Sequence, residues 1–439
     1  MAEKIIRDPV HDVIAFRIDR PAEALLFRLL NATEFQRLRR IRQLGLASLA
    51  YPGADHSRYS HSLGVMETAR KILKRLGEFF PIDPEQQALC LVGALLHDVG
   101  HGPFSHVFER VAGISHEQTG RRVILDPDGE LHRLLVEFDP QLPRRLVDLL
   151  ECRPNRTFYN DVLGSQLDAD RFDYLLRDNL MTGSQYGAFD LGWLVQALTL
   201  DPATDRLAVT HKGVSAVENY LQSRYHMYRN VYFHKVVRSA EGMLRLALQR
   251  ARRLAVQDRL PWPPRDHPVH KALLGQQLSV AEFTDLDDVS MLHSFKLWIG
   301  GEDPTLAVLC RGLLFRRLFK VVDLSHLDDE AAREAQAVAK RVVERQGGDV
   351  DYDLFFDEPA DTPYTQDGPG GGAFCPSDGI LMRDAQGRTH EFSTTSPLVG
   401  ALNRQLMFRR LHVMESMRTV VERELCASGY ADGTADGRG

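Results

Sequence analysis

From Ala88 to Leu96 the chain reads Ala-Leu-Cys-Leu-Val-Gly-Ala-Leu-Leu, then turns at once to His97-Asp98-Val99-Gly100-His101. A run this apolar predicts a buried helix. Polar groups closing such a helix need partners, since an unpaired buried polar group costs about 1–3 kcal/mol. Residues 1–20 alternate around Asp8-Pro9 and His11-Asp12 and predict a hairpin or extended lead-in. From Ala22 a helical period takes over, through Leu25, Leu26, Leu29, Leu30, Phe35, Leu38 and Ile41. Pro52-Gly53 marks a turn, and a helix is expected over residues 62–78 with His61 near its first turn.

Further helices are expected from His116-Glu117, over residues 131–152, and over residues 165–178. Residues 215–256 read as one long helical run, ended by Pro261, Pro263, Pro264 and Pro268. Helical pattern resumes to about residue 320, and the character then changes to α+β. The fold class is therefore mostly α, with a smaller C-terminal α+β part. The expected division is a core over residues 1–325, an α+β region over 326–426 and a flexible tail over 427–439. Gly368-Pro369-Gly370-Gly371-Gly372 reads as a flexible loop. No internal repeat is evident.

Composition narrows the function. The net charge is -6, from 54 basic and 60 acidic side chains, which argues against a general nucleic-acid coat or a polybasic membrane anchor. Nine of the basic residues are Lys, so Arg dominates; genome base composition or phosphate recognition would each account for that. Five cysteines without a C-x-x-C pair read as free thiols of a reducing compartment. With no apolar leader and no run of membrane-spanning length, a soluble cytoplasmic protein is expected.

The candidate chemistry gathers on histidines. His97, His101, His106 and His116 fall within twenty residues, in a chain with 17 histidines overall. Any one of them suits a satisfied core or loop position. A His-Asp doublet closing an apolar helix beside three more points instead to a divalent metal. Together, His61, His97, Asp98 and Asp170 would offer two imidazoles and two carboxylates around one ion. His97 and Asp98 point about 100° apart on a regular helix, so they share an ion best at the helix end. His106 and Glu109 are three apart and face each other, which suits a carboxylate-oriented general acid or base. Asp170, Tyr174 and Asp178, spaced by four, share one side of a helix; a salt-bridged surface would show the same pattern. The stretch from Arg37 to Arg42 carries four Arg and reads as a solvated face or an anion-binding face. Aromatics interleaved with Arg, His and Lys from Tyr220 to Lys235 suit either helix packing or a base and its phosphates.

Several stretches resemble one family. They are Asp8-Pro9-Val10-His11, Phe35-Gln36-Arg37-Leu38-Arg39, Gln43-Leu44-Gly45, His61-Ser62-Leu63-Gly64-Val65, the run from His97 to His106, and Asp168-Ala169-Asp170-Arg171-Phe172-Asp173-Tyr174. In this order they resemble the HD-domain metal phosphohydrolases. The likeness is greatest to the deoxynucleoside triphosphate triphosphohydrolases, bacterial dGTPase-like enzymes and animal enzymes that join an HD domain to a sterile alpha motif. It covers about residues 1–325, and no sterile alpha motif is expected before it.

The resemblance implies roles. The metal ligands would be His61, His97, Asp98 and Asp170, holding Mn, Fe, Mg, Co, Ni or Zn. His106, oriented by Glu109, would protonate the leaving 5′ oxygen, with His101 and His116 lining the phosphate site. Arg58, Arg171, Arg224 and Lys235 would lie near the triphosphate. Gln43 and Asp178 would reach the sugar 3′-hydroxyl. Leu44, Tyr174 and Tyr232 would form the wall that excludes a 2′-hydroxyl. Gln36, Arg39, Lys212, Arg316 and Lys320 would hold a nucleotide effector; Arg316 and Lys320, four apart, are expected on one helix face. Asn31 stands where the guanine-reading enzyme has Asp, which leaves the effector's base open. The implied reaction is dNTP hydrolysis to deoxynucleoside and inorganic triphosphate in a homo-oligomer, a dimer or tetramer. Two alternatives stay open: another HD phosphohydrolase acting on monophosphates, alarmones or cyclic nucleotides, and a nucleotide- or nucleic-acid-binding protein with a vestigial site.

Overall fold

A computed structural model describes residues 2–362, 364, 367–368, 377–402 and 405–431. The expected flexible Gly run at 369–372 and the tail at 432–439 lie outside the described residues. The chain divides into two compact units that interleave along the sequence. The first holds Met1–Tyr228, Gln277–Asp288 and Thr362–Arg404; the second holds Arg229–Gln276, Val289–Asp361 and Gln405–Gly439. The division thus passes through the long helical stretch and does not coincide with a single break near residue 325.

The first unit opens on an antiparallel hairpin, Glu3–Asp8 paired with Asp12–Arg17, whose Ile14 and Phe16 are fully buried. Helix Arg58–Leu76 packs between Pro84–Leu96 and Ala169–Thr182. Helix Pro84–Leu96 starts on Asp83, which accepts from the Glu85 N–H, with Pro84 at the first position. Every residue from Ala88 to Leu96 is buried, as the apolar run predicts. The helix ends at His97, so the doublet stands at a helix end. Residues 131–152 are helical as expected, in two helices, Glu130–Phe138 and Leu142–Leu150. Pro140 between them cannot continue a helix. A four-stranded sheet in the order Thr389–Glu391, Leu381–Arg383, Arg206–Thr210, Leu198–Asp201 completes this unit; its two middle strands are parallel.

The expected helix over 215–256 is likewise two, Val214–Met227 and Lys235–Val256, separated by the wide π-type turn Tyr228–Tyr232. The second unit contains a three-stranded antiparallel sheet with Arg410–Val413 between Lys320–Asp323 and Leu354–Asp357. Helices Asp329–Arg345 and Glu415–Ala427 cover it through a core including Val342, Val343, Leu354, Leu411, Val421 and Leu425. The mostly α class with a smaller α+β part holds. Tyr430, expected in the flexible tail, is instead tied down: its hydroxyl donates to Glu334 at 2.5 Å. The expectation of five free thiols fails at Cys152, which is disulfide-bonded; Cys90, Cys310 and Cys426 are not in disulfides. A bond closed by folding leaves no local C-x-x-C signature. Among the described residues, no helix is long and apolar enough to cross a membrane.

Candidate active site

Three elements of the first unit converge on one buried cluster. Helix Arg58–Leu76 supplies His61 from its first turn, the end of Pro84–Leu96 supplies His97 and Asp98, and the first turn of Ala169–Thr182 supplies Asp170. His61 Nε2 lies 3.0 Å from Asp170 Oδ1 and 3.8 Å from Asp98 Oδ2. His97 Nε2 lies 3.4 Å from Asp98 Oδ1 and 3.7 Å from Asp170 Oδ1. His61, His97 and Asp170 each offer a ligand atom within 4.8 Å of the others. Asp98, the fourth expected ligand, is beside this group but outside it: its Oδ2 takes the Arg58 guanidinium, and its Oδ1 lies 3.2 Å from His101 Nε2.

The charges in this cluster are strongly biased. Burial opposes a charged His61, yet hydrogen bonds to Asp170 and Asp173 override it and push its pKa up to about 10. Burial likewise opposes ionised Asp98, but Arg58 and the flanking His97 and His101 hold it well below the usual carboxylate range.

A second cluster adjoins the first through His101. Glu109 sits among three imidazoles: His116 Nδ1 at 3.1 Å, His106 Nδ1 at 3.3 Å and His101 Nδ1 at 3.2 Å. The last approach lacks hydrogen-bond geometry, so His101 Nδ1 and Glu109 Oε1 stay unpaired. Burial would raise Glu109, but the three histidines draw it far below an ordinary glutamate. Burial and the Arg58 charge push His101 down to about 4 and keep it neutral. Burial works against a charged His116, but Glu109 raises it overall. The His106 side chain is 61% exposed, whereas those of His101 and His116 are 5% and 10% exposed. His106 therefore faces outward while Glu109 holds it from behind.

The sequence singled out the His106–Glu109 pair by spacing; nothing in the spacing showed that Glu109 also holds His116 and lies against His101. Gly100 makes that close packing possible. A methyl group there would lie 2.1 Å from the His116 carbonyl oxygen and 2.3 Å from the Gly120 nitrogen.

The other expected residues divide into groups. Arg58 also donates to Ser105 Oγ, by Nη2 at 2.8 Å. Arg171 is buried and paired with Asp168, so its charge is already answered. Arg224 donates to Gln166 Oε1 at 3.1 Å. Gln43 and Asp178 meet at His56: the Gln43 N–H donates to the His56 carbonyl at 3.0 Å, and His56 Nε2 lies 2.7 Å from Asp178 Oδ1. Leu44 follows Gln43 in the same turn, and Tyr174 lies one turn beyond Asp170 on its helix. Tyr232 and Lys235 belong to the second unit.

Among the effector candidates, Arg39 Nε donates to Gln36 Oε1 at 2.9 Å and its guanidinium lies 3.6 Å over the Tyr59 ring. Lys212 lines a cavity of about 570 Å³ with Arg75, Phe79, Trp193, Arg383 and Asp384. Arg316 and Lys320, both in the second unit, do not share a helix face. The helix Pro304–Leu314 ends before them, Arg316 has φ 56°, and Lys320 begins a strand, paired with Glu415 at 3.1 Å. The expected solvated or anion-binding face at residues 37–42 fails at Arg37. That side chain is buried, donates to the carbonyls of Leu286 at 2.7 Å and His101 at 2.8 Å, and stacks 4.2 Å over Phe283.

Residues 58–135 match the HD domain, and residues 189–258 match the HD associated region. A Bacillus subtilis relative, the uncharacterized protein YwfO, is 37% identical over 371 residues, spanning 84% of this chain and 82% of its own. The chain belongs to the HD-domain family that carries an HD associated region.

Other relatives of this HD-domain protein carry activity names. The Dictyostelium discoideum deoxynucleoside triphosphate triphosphohydrolase SAMHD1 homolog is 28% identical over 375 residues, 80% of this chain and 66% of that protein. A Bacteroides thetaiotaomicron phosphohydrolase superposes with a TM-score of 0.79 at 27% identity, covering 94% of this chain and all of the other. HD-domain phosphohydrolases use divalent metals, and the residues present fit one. His97 Nε2 is buried without a hydrogen-bond partner while its Nδ1 is fixed 2.8 Å from the Ala94 carbonyl. Such an oriented, unpaired nitrogen beside two carboxylates is what an imidazole ligand requires.

Proposed function

We propose that this HD-domain phosphohydrolase cleaves dNTPs to deoxynucleoside and inorganic triphosphate. The observation that carries the reading is Glu109, which holds outward-facing His106 from behind next to the His61, His97 and Asp170 group. His61, His97 and Asp170 would hold a divalent ion, with Asp98 alongside. When bound, that ion would polarise a phosphoryl oxygen and favour attack by water.

The chain's own residues supply the rest. With Nδ1 turned to Glu109, His106 keeps Nε2 for the leaving 5′ oxygen as the bond from that oxygen to the α-phosphorus breaks. His101, held neutral, and His116, held by Glu109, line the phosphate side. Arg58 shields Asp98 and lies where a phosphate oxygen could share its guanidinium. Gln43 and Asp178, joined through His56, suit the sugar 3′-hydroxyl. Arg171 and Arg224 would serve the triphosphate, with Leu44 and Tyr174 closing against a 2′-hydroxyl; a packed wall rejects one extra oxygen by sterics and desolvation.

The relative named as a dNTP triphosphohydrolase supports this substrate over shorter phosphates. Product analysis tests it. Deoxynucleoside with inorganic triphosphate is expected; dNMP with pyrophosphate, or single phosphates, would refute it. We also propose a nucleotide effector and a homo-oligomeric enzyme. Lys212 is the strongest effector candidate, since its cavity pairs three cations with the exposed rings of Phe79 and Trp193.

A further inference from the structure

We infer that Asp8 and His11, in the turn of the N-terminal hairpin, are positioning residues for the metal site that act on His61 through Asp173. The inference rests on the reading of His61, His97 and Asp170 as metal ligands.

Asp173 is completely buried and accepts four hydrogen bonds. Its Oδ1 takes His11 Nε2 at 2.7 Å and Arg177 Nη2 at 2.9 Å; its Oδ2 takes His61 Nδ1 at 2.9 Å and Arg177 Nε at 2.8 Å. The His11 proton is assigned by its other neighbour. Lys71 Nζ lies 3.0 Å from His11 Nδ1, and an ammonium can only donate. Nδ1 therefore accepts, and the proton on Nε2 goes to Asp173. With both carboxylate oxygens filled by donors, His61 must carry its own proton on Nδ1. Its Nε2 is then left for the side that holds Asp170 and His97.

Arg177 ties this arrangement back to the hairpin. Its Nη1 donates to Asp8 Oδ2 at 2.8 Å and its Nη2 to Asp8 Oδ1 at 3.2 Å. Asp8 Oδ1 also accepts from the N–H groups of Val10 at 2.9 Å and His11 at 3.0 Å, which shapes the turn that presents His11. Helix packing is cut to suit. A methyl group on Gly64, one turn after His61, would lie 1.9 Å from Asp173 Oδ1 and 2.3 Å from Arg177 Nη2. Partners of this kind fix the tautomer and ring orientation of a ligand histidine, and their loss lowers metal affinity by about 10–100-fold.

The test titrates the metal-free full-length protein with Mn2+, Co2+ and Zn2+ by calorimetry and records the imidazole nitrogen spectrum of His61 in the Zn2+-loaded protein. In wild type the proton is expected on Nδ1 alone, with Nε2 on the ion. His11→Phe should weaken binding by about 10–100-fold and mix the two tautomers. His11→Gln, whose amide can still donate to Asp173, should recover part of the loss. Lys71→Met leaves the turn intact and carries the test if His11→Phe does not fold; it too should weaken binding. Wild-type affinity and an unmixed His61 tautomer in these variants would overturn the positioning role. A wild-type protein that binds none of the three ions would instead overturn the metal reading beneath it.

Discussion

The backbone N–H of Phe104 donates to Asp288 Oδ1 at 2.9 Å, and this bond holds the segment that delivers His106. Phe104 and Ser105 both have φ 51°, a region non-glycine residues occupy only at a cost of about 1–3 kcal/mol each. Asp288 Oδ2 accepts in turn from the Arg42 N–H at 2.9 Å, next to Gln43. Asp288→Ala should let the strained pair relax and misplace His106. Turnover is expected to fall about 10²-fold while metal content stays at the wild-type level. Loss of bound metal in the same variant would show a wider collapse.

Asp288 also gives a pH signature. Burial raises its pKa to about 6, above the unfolded value of 3.8. Between those values the folded protein binds a proton that the unfolded chain does not. This group's contribution to stability therefore falls as pH rises from about 4 to 6, then levels off. Asp288→Asn should remove that slope. Urea midpoints of wild type and variant across this window would measure it, and parallel curves would exclude the effect.

The cluster predicts how ligand loss and acid loss separate. His61→Ala or Asp170→Ala should remove metal and hydrolysis together. His106→Ala should keep the metal and lose ~10²–10⁴ in rate, the usual contribution of a general acid. Metal content measured beside turnover distinguishes them. Metal lost from His106→Ala, or kept in His61→Ala, would redraw the site.

How far the sequence revealed this site depended on whether the signal was local. The apolar run ending in His97-Asp98 announced a buried helix end, and the His106–Glu109 spacing announced their contact. Pro140 marks the break between the two helices of the stretch read as helical over 131–152. No proline or glycine marks the turn at Tyr228–Tyr232, so that interruption was silent. The spacing of Arg316 and Lys320 misled because the helix ends at Leu314, shortly before a left-handed Arg316. Asp173 stood inside a noted motif, yet its bonds to His11 and His61 join residues 162 and 112 positions apart. No periodicity reports contacts of that range. Asp288 left no signal at all.

The cavity around Lys212 predicts regulation at a distance from the histidines. If a dNTP binds there as effector, adding a second dNTP should stimulate hydrolysis of the first. Lys212→Glu would set a carboxylate against the effector phosphates and should abolish the stimulation without changing metal content. Stimulation that survives the charge reversal would remove Lys212 from the effector role.

The last prediction concerns the second unit. His412 lies in its central strand, fully buried, stacked 4.5 Å from the Phe355 ring, with neither ring nitrogen hydrogen-bonded. The groups facing it are Asp357, whose Oδ2 is 4.0 Å away, and the cations Arg410 and Arg238. Burial lowers its pKa to about 4, with the Asp357 attraction opposing and the two Arg adding to the effect of burial. The unfolded chain would take up this proton near pH 6.5, before the folded one does. Stability is therefore complete above about pH 6.5 and is lost as pH falls toward 4. A tenfold change in proton affinity is worth about 1.4 kcal/mol, so the full effect is on the order of 3 kcal/mol. His412→Phe keeps a flat ring against Phe355 and removes the titration. Its urea midpoint should change less than that of wild type between pH 7 and pH 5. An equal loss in both proteins would place the acid sensitivity elsewhere.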